Sequence, residues 1–155
     1  MYYLVIAAVL LLDQITKYIV RAGMELYESI PIVDGIFHIT YIQNSGAAFS
    51  ILQGKTFVLI LLPLVLSIAL LVAVAKLRKK GHPMLLWSLS LIAAGGFGNL
   101  IDRAMMGSVT DFLDFRVWPI FNVADIAVCC GCALLLIYVV FFDGKAEKGA
   151  RPLGK

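Results

Sequence analysis

The sequence predicts an all-α integral membrane protein, with four transmembrane helices and a small β element in an outer-surface loop. The first observation is composition: 61% of the 155 residues are hydrophobic and only 15% are charged, and the mean hydropathy is +0.94. These values do not fit a soluble globular domain of this size. The second observation is that the apolar runs are about 20 residues long, which suits a hydrocarbon layer of about 30 Å. We therefore expect residues 1–155 to form a single membrane domain.

Four apolar runs are the predicted spans. The first resembles a signal peptide, but it lacks a basic start, and Asp13, Gln14 and Lys17 stand where a small-residue cleavage site should lie. We therefore interpret it as a retained helix. The second run has no charged residue and is the clearest span. The predicted spans cover about residues 2–20, 56–75, 84–103 and 121–142.

Basic residues predict how the chain crosses the membrane, because loops rich in Lys and Arg stay on the cytoplasmic side. Such residues are concentrated in the 76–83 loop and in the 143–155 tail. We therefore expect both termini to be cytoplasmic and the loops at about 21–55 and 104–120 to lie outside. Residues 35–41 alternate between apolar and polar positions, which predicts one or two strands in the first outer loop.

Polar side chains gather where the predicted spans meet the outer loops. Because such groups are costly near hydrocarbon, a cluster of them predicts a functional site. Asp13 and Lys17 are spaced i, i+4, as in an ion pair on one helical face, which could belong to this site or simply mark a helix end at the membrane interface. The small residues around Asn44 and Gly46 allow close approach of a ligand or a helix. The other members of the cluster are Asn99, Asp102, Arg103, Asp111, Asp114, Asn122 and Asp125.

The short connection between the third and fourth spans can bring Asp111 and Asp125 together. Two adjacent carboxylates do not both ionise readily, so the pair shares a proton. Such a pair can activate water with one acid and protonate a carbonyl with the other. Spacing leaves Asp114 as a rival of Asp111. Asp102 follows a different pattern, because its neighbour Arg103 favours a stable polar network over catalysis.

Other functions remain open from the residues alone. The same carboxylates could form an ion relay in a small membrane transporter, and Gly95, Gly96 and Gly98 suit a helix-packing scaffold. No Ser or Cys is expected beside a usable base, since His38 and His82 are predicted on opposite sides of the membrane. We expect no metal, no organic cofactor and no nucleic-acid partner. The cysteines, Cys129, Cys130 and Cys132, are predicted to be free and buried.

Five motifs in order resemble one known family. They are Asp13–Lys17 (DQITK), Asn44–Ser50 (NSGAAFS), Gly95–Arg103 (GGFGNLIDR), Val109–Phe112 (VTDF) and Phe121–Asp125 (FNVAD). Together, on a four-span frame of this length, they resemble the bacterial lipoprotein signal peptidases, also called signal peptidase II. The resemblance runs from the first span to the fourth.

The resemblance implies an intramembrane aspartic endopeptidase of the bacterial cytoplasmic (inner) membrane, with its active site toward the outer face. Its implied substrates are prolipoproteins whose cysteine carries diacylglyceryl, cut on the amino side of that cysteine. Membrane lipid and globomycin-type inhibitors are further implied partners. The motifs assign catalysis to Asp111 and Asp125. They assign substrate-binding or supporting roles to Asp13, Lys17, Asn44, Gly46, Asn99, Asp102, Arg103 and Asn122.

Overall fold

The computed structural model describes residues 1–46 and 56–143. The expectations for residues 47–55 and for the tail after residue 143 therefore fall outside the described residues. Within the described residues, four helices are long and apolar enough to cross a membrane, and a three-stranded antiparallel sheet accompanies them, which confirms the predicted fold class. The elements are α1 (Tyr2–Gly23), β1 (Ser29–Val33), β2 (Phe37–Asn44), α2 (Thr56–Leu77), α3 (Pro83–Met106), β3 (Val109–Asp114) and α4 (Val123–Tyr138), followed by a π-helical turn (Val139–Asp143).

The helix α3 is the centre of the bundle and packs against α1, α2 and α4. It begins at Pro83, where the missing backbone donor costs nothing, after His82 accepts a hydrogen bond from the Met84 backbone. It ends at Met106, and the next residue, Gly107, has a φ of 75° and forms the left-handed cap that favours glycine. Most apolar residues of α1, α2 and α4 face outward, as expected for helices that lie in lipid.

Three glycines of α3 let its neighbours approach closely. A side chain at Gly95 would collide with the Ala124 carbonyl of α4, and one at Gly96 would meet Ser67 of α2. At Gly98, an added Cβ would lie 2.6 Å from Asp13 Oδ2 on α1. These small residues therefore pack helices, as the scaffold hypothesis expected, and one of them packs directly against a buried acid.

We predict that Gly98→Ala weakens the bundle. The new methyl group overlaps Asp13, so α1 and α3 must separate, at a cost of about 1–3 kcal/mol in the free energy of unfolding. Thermal unfolding in detergent measures the effect. Gly23→Ala is the matched control, because a Cβ at Gly23 would meet no described atom within 4 Å. Equal melting temperatures for the two variants would contradict this packing.

The sheet joins two loops that are far apart in the sequence. Its strand order is β1-β2-β3, and β2 pairs with β3 through Ile42↔Asp111 and Asn44↔Val109. The sequence predicted strands only in the first loop, so β3 in the 104–120 loop was missed. Its six residues form a strand because β2 supplies the partner, which local propensity does not reveal. The pairing carries Asn44 to the neighbourhood of Asp111.

Candidate active site

Asp111 lies on β3 and is almost fully buried, with 2% of its surface exposed. Its Oδ2 accepts a hydrogen bond from Asn44 Nδ2 at 3.0 Å, and its Oδ1 accepts one from Asn122 Nδ2 at 2.6 Å. The strand therefore fixes the backbone of this acid, while two amides from other elements fix its carboxyl group.

Asp125 lies in the first turn of α4. Its backbone N–H donates to Asn122 Oδ1 at 3.0 Å, and its Oδ2 accepts from the Asn122 backbone at 3.2 Å, which together form a capping box. Its Oδ1 accepts a hydrogen bond from Asn99 Nδ2 on α3 at 2.7 Å. The motif at residues 122–125 thus starts the helix and orients the acid in one arrangement.

Asn122 connects the two acids. It is fully buried, and its side chain donates to Asp111 while accepting from the backbone of Asp125. Both acids line a cavity of about 700 Å³, together with Asn44, Asn99 and Arg103. Five of the residues singled out by the sequence therefore meet at one cavity, with a sixth between the two acids.

Asp114 lies elsewhere. Its Oδ2 accepts from Thr40 Oγ1 at 2.7 Å and forms an ion pair with Arg116 at 2.9 Å. Burial alone would raise the pKa of Asp114, but the hydrogen bonds from Thr40 and Arg116 outweigh it and the pKa is lowered. Among the described residues that line the cavity, Asp111 and Asp125 are present and Asp114 is not. The geometry therefore favours Asp111 over its rival.

Asp13 and Lys17 form a completely buried ion pair with an N–O distance of 2.9 Å. The alternative of a pair that only marks the membrane interface is therefore wrong. Asp13 Oδ1 also accepts from the Ala124 backbone at 2.9 Å, which ties α1 to the start of α4. Lys17 Nζ lies 3.3 Å from Asp102 Oδ2 and donates to Asn99 Oδ1 at 3.0 Å.

Asp102 belongs to a network, as expected, but with different partners. Its ion-pair partners are Lys17 at 3.3 Å and Arg21 at 3.4 Å rather than its sequence neighbour Arg103. Its Oδ2 also accepts from the Thr110 backbone at 3.0 Å. Asp102 therefore anchors β3, one residue before Asp111, to α1 and α3.

Arg103 faces the cavity. Its Nη2 donates to the Gly46 carbonyl at 2.8 Å, whereas its buried Nε has no partner among the described residues. Gly46 in turn donates its backbone N–H to Asn44 Oδ1 at 3.0 Å. The positive charge of Arg103 thus lies beside both acids, and Gly46 connects Arg103 to Asn44.

Burial raises the pKa of Asp111 from 3.8 to about 6. The charge of Asp125 acts in the same direction, whereas the hydrogen bonds from Asn44 and Asn122 and the charge of Lys17 oppose it. A carboxyl group of this kind remains protonated well above the ordinary range of aspartate. One member of the acid pair therefore keeps its proton up to about pH 6.

We predict a pH-dependent stability that originates at Asp111. Because its folded pKa lies above its unfolded value, its stabilising contribution is complete below about pH 4 and is lost as the pH rises through about 6, a change of about 3 kcal/mol. Asp111→Asn removes this titration. In detergent, the melting temperature of the variant should rise relative to wild type between pH 4 and pH 7. A constant difference would contradict the raised pKa.

The remaining cavity wall is mainly apolar. Its described residues include Trp118 and Ile126, as well as Cys129 and Cys130. All three cysteines are free, as predicted, but they are exposed on the protein surface, so their predicted burial is wrong. An apolar run indicates a span without indicating which of its faces meets protein and which meets lipid.

Sequence reasoning also missed two polar residues of α1. Gln14 Nε2 donates to the Gly98 carbonyl at 3.1 Å, and Arg21 pairs with Asp102. Both could have been found by extending the helical face of Lys17, since positions 14, 17 and 21 are spaced i, i+3 and i+7.

The sequence predicted no Ser or Cys beside a usable base, but the structure contains one Ser/His contact among its described residues. Ser29 Oγ lies 3.1 Å from His38 Nδ1 and 2.7 Å from Thr40 Oγ1, in a polar group of the sheet. Neither Ser29 nor His38 lines the cavity. In residues 1–46 and 56–143, no group of three or more His, Cys, Asp or Glu side chains could hold a metal ion.

The described helices and cavity, with the buried Asp111 and the partly buried Asp125 linked by amides, define a membrane protein with a candidate acid-pair site. Comparison with known proteins then defines the family. Residues 5–141 match the family model described as signal peptidase (SPase) II, and the chain belongs to that family. It is therefore a bacterial membrane peptidase.

Individual relatives agree over nearly the whole chain. The lipoprotein signal peptidase of Halothermothrix orenii is 48% identical over 139 residues, covering 90% of this chain and 94% of the relative. That of Brevibacillus brevis is 46% identical, covering 95% and 99%. A solved structure described as a bacterial membrane enzyme is 30% identical with a TM-score of 0.81, covering 99% of this chain and 94% of its own.

Proposed function

We propose that the protein is an aspartic endopeptidase that removes the signal peptide from prolipoproteins bearing a diacylglyceryl-modified cysteine. It cuts on the amino side of that cysteine. The observation that carries the proposal is the single buried side chain of Asn122 that contacts both acids, which face one cavity. The names of the relatives supply the substrate class.

The acid pair divides the reaction between its members. Asp125, when ionised, takes a proton from water as the water oxygen attacks the carbonyl carbon of the peptide bond. Asp111, when protonated, donates its proton to the carbonyl oxygen. Collapse of the tetrahedral intermediate breaks the C–N bond, and the proton held by Asp125 moves to the leaving amine. As the new carbonyl of the acid product forms, a hydroxyl group of the intermediate returns its proton to Asp111, which restores the starting state.

Other cavity residues bind the substrate. The Nε–H of Arg103, which has no partner among the described residues, is a donor for a substrate carbonyl, and the charge of Arg103 stabilises the oxygen that becomes negative during attack. The apolar wall around Trp118 and Ile126 holds the acyl chains and the signal helix. Globomycin-type inhibitors compete for the same cavity. The acids act at the outer face of the inner membrane, with both termini in the cytoplasm.

The transporter alternative requires a polar path to the opposite end of the bundle. There, Val74, Leu86 and Leu89 form a buried apolar cluster. The nearby hydroxyls of Ser88 and Ser90 are bonded to helix carbonyls at 2.7 Å. This packing favours the peptidase over the ion relay.

Cleavage of a diacylglyceryl-modified prolipoprotein by the purified protein in detergent tests the proposal. The product is scored by its shift on a gel, and the same prolipoprotein without lipid is the matched substrate control. We expect cleavage of the modified form only. No cleavage by a folded protein, together with proton flux in proteoliposomes, would favour the ion relay instead.

A further inference from the structure

The amide of Asn99 has a chemically fixed direction. Lys17 Nζ lies 3.0 Å from Asn99 Oδ1, and an ammonium group only donates hydrogen bonds, so the atom that faces it must be the amide oxygen. Asn122 Nδ2 donates to the same oxygen at 3.1 Å. The NH₂ end of Asn99 is therefore directed to Asp125 Oδ1, at 2.7 Å.

Asp125 consequently receives a donor on each oxygen. Asn99 Nδ2 donates to Oδ1, and the Asn122 backbone donates to Oδ2. Hydrogen bonds of this kind favour the ionised carboxylate. Asp111 also receives two amide donors, but among the described residues these amides accept from backbone N–H groups and not from a cation. Asn99, which donates to Asp125, does accept a hydrogen bond from the Lys17 ammonium group. This bond polarises the Asn99 amide.

We propose that Lys17 is a positioning residue that, through Asn99, holds Asp125 as the ionised, water-activating acid and leaves the shared proton on Asp111. This inference rests on the proposed peptidase function and deepens it. Lys17 touches neither acid through a hydrogen bond or ion pair among the described contacts, and its charge acts on both acids, so the effect that distinguishes them passes through the Asn99 amide.

Two carboxylates hold the ammonium group in place. Asp13 lies 2.9 Å and Asp102 lies 3.3 Å from Lys17 Nζ, and Lys17 is completely buried.

The charged or titratable groups around Asp125 are Lys17 and Asp13 on α1, Arg103 on α3, Asp111 on β3 and Cys129 on α4. The charges of Arg103 and Lys17 each act on both acids and so do not distinguish them, whereas the Asn99 amide donates to Asp125 and not to Asp111 among the described contacts. The raised pKa of Asp111 agrees with a proton at that position.

The test compares Asp13→Asn with the double variant Asp13→Asn/Lys17→Met. Removing Lys17 alone would leave two buried carboxylates against it, whereas the double change removes one charge of each sign and protects the fold. Relative to Asp13→Asn, we expect kcat to fall by about tenfold or more with KM nearly unchanged. Without the cation, ionisation of Asp125 is less favoured, so the acidic limb of the kcat–pH profile should move up by about one pH unit.

An unchanged kcat–pH profile in the folded double variant would overturn the inference. Lys17→Arg is the second variant. It keeps the positive charge, but its guanidinium does not place one donor nitrogen where the ammonium nitrogen lies. We therefore expect kcat to fall while the acidic limb of the kcat–pH profile stays in place. A wild-type kcat in Lys17→Arg would also overturn it. Failure of the wild-type protein to cleave the lipid-modified prolipoprotein would instead refute the peptidase function, which separates the two claims.

Discussion

Asp111→Asn and Asp125→Asn should each reduce cleavage of a lipid-modified prolipoprotein by about 10³-fold or more, because each removes one half of the acid–base pair. Asparagine is close to the size of aspartate and keeps an oxygen for part of the hydrogen bonding, so the fold should persist. Single-turnover cleavage measures the rate, and size-exclusion chromatography in detergent checks the fold.

Asp114→Asn is the matched control for this loss. Asp114 lies on the same strand as Asp111, but it binds Thr40 and Arg116 instead of the cavity amides. We expect it to keep the cleavage rate within a few-fold of wild type, since it touches none of the reacting groups. Full activity in Asp111→Asn, or loss of activity in Asp114→Asn alone, would reverse the assignment.

Asn122→Ser should reduce the cleavage rate by about 10²-fold, because small errors in the placement of catalytic groups have effects of that order. Serine can still cap the first turn of α4 through its hydroxyl. It is too short, however, to replace the amide that donates to Asp111 at 2.6 Å and to Asn99 at 3.1 Å. The measurement is the same single-turnover assay.

Asn122→Ala separates capping from catalysis. It removes both the cap and the amide, so the free energy of unfolding should fall by a further ~1 kcal/mol compared with Asn122→Ser, while the two cleavage rates remain similar. Thermal unfolding of both variants provides the comparison. A serine variant as active as wild type would show that Asn122 only caps the helix.

The four long apolar helices could be predicted because hydrocarbon thickness sets the length of a span. Runs of apolar residues of that length are visible in the sequence itself. The acids could be found because motifs place Asp111 in the short connection between two spans and Asp125 at the start of the following span. Strand β3 could not, since its pairing with β2 joins segments about 70 positions apart, and local propensity does not encode such a partner.

The charge partners were the least predictable part of the site. Asp102 is adjacent to Arg103 in sequence, yet successive residues on a helix point in different directions. Asp102 therefore meets α1, while Arg103 faces the cavity. The role of Asn122 could be anticipated only from the family motif, because its contact with Asp111 depends on how the connection folds back.

The most direct test is the mass of both products after the wild-type protein cleaves a diacylglyceryl-modified prolipoprotein. We predict a mature chain that begins at the lipid-modified cysteine and a signal peptide that ends one residue before it, with neither product formed by Asp125→Asn. A cut at another bond, or the same products from Asp125→Asn, would contradict an acid pair that acts beside the modified cysteine.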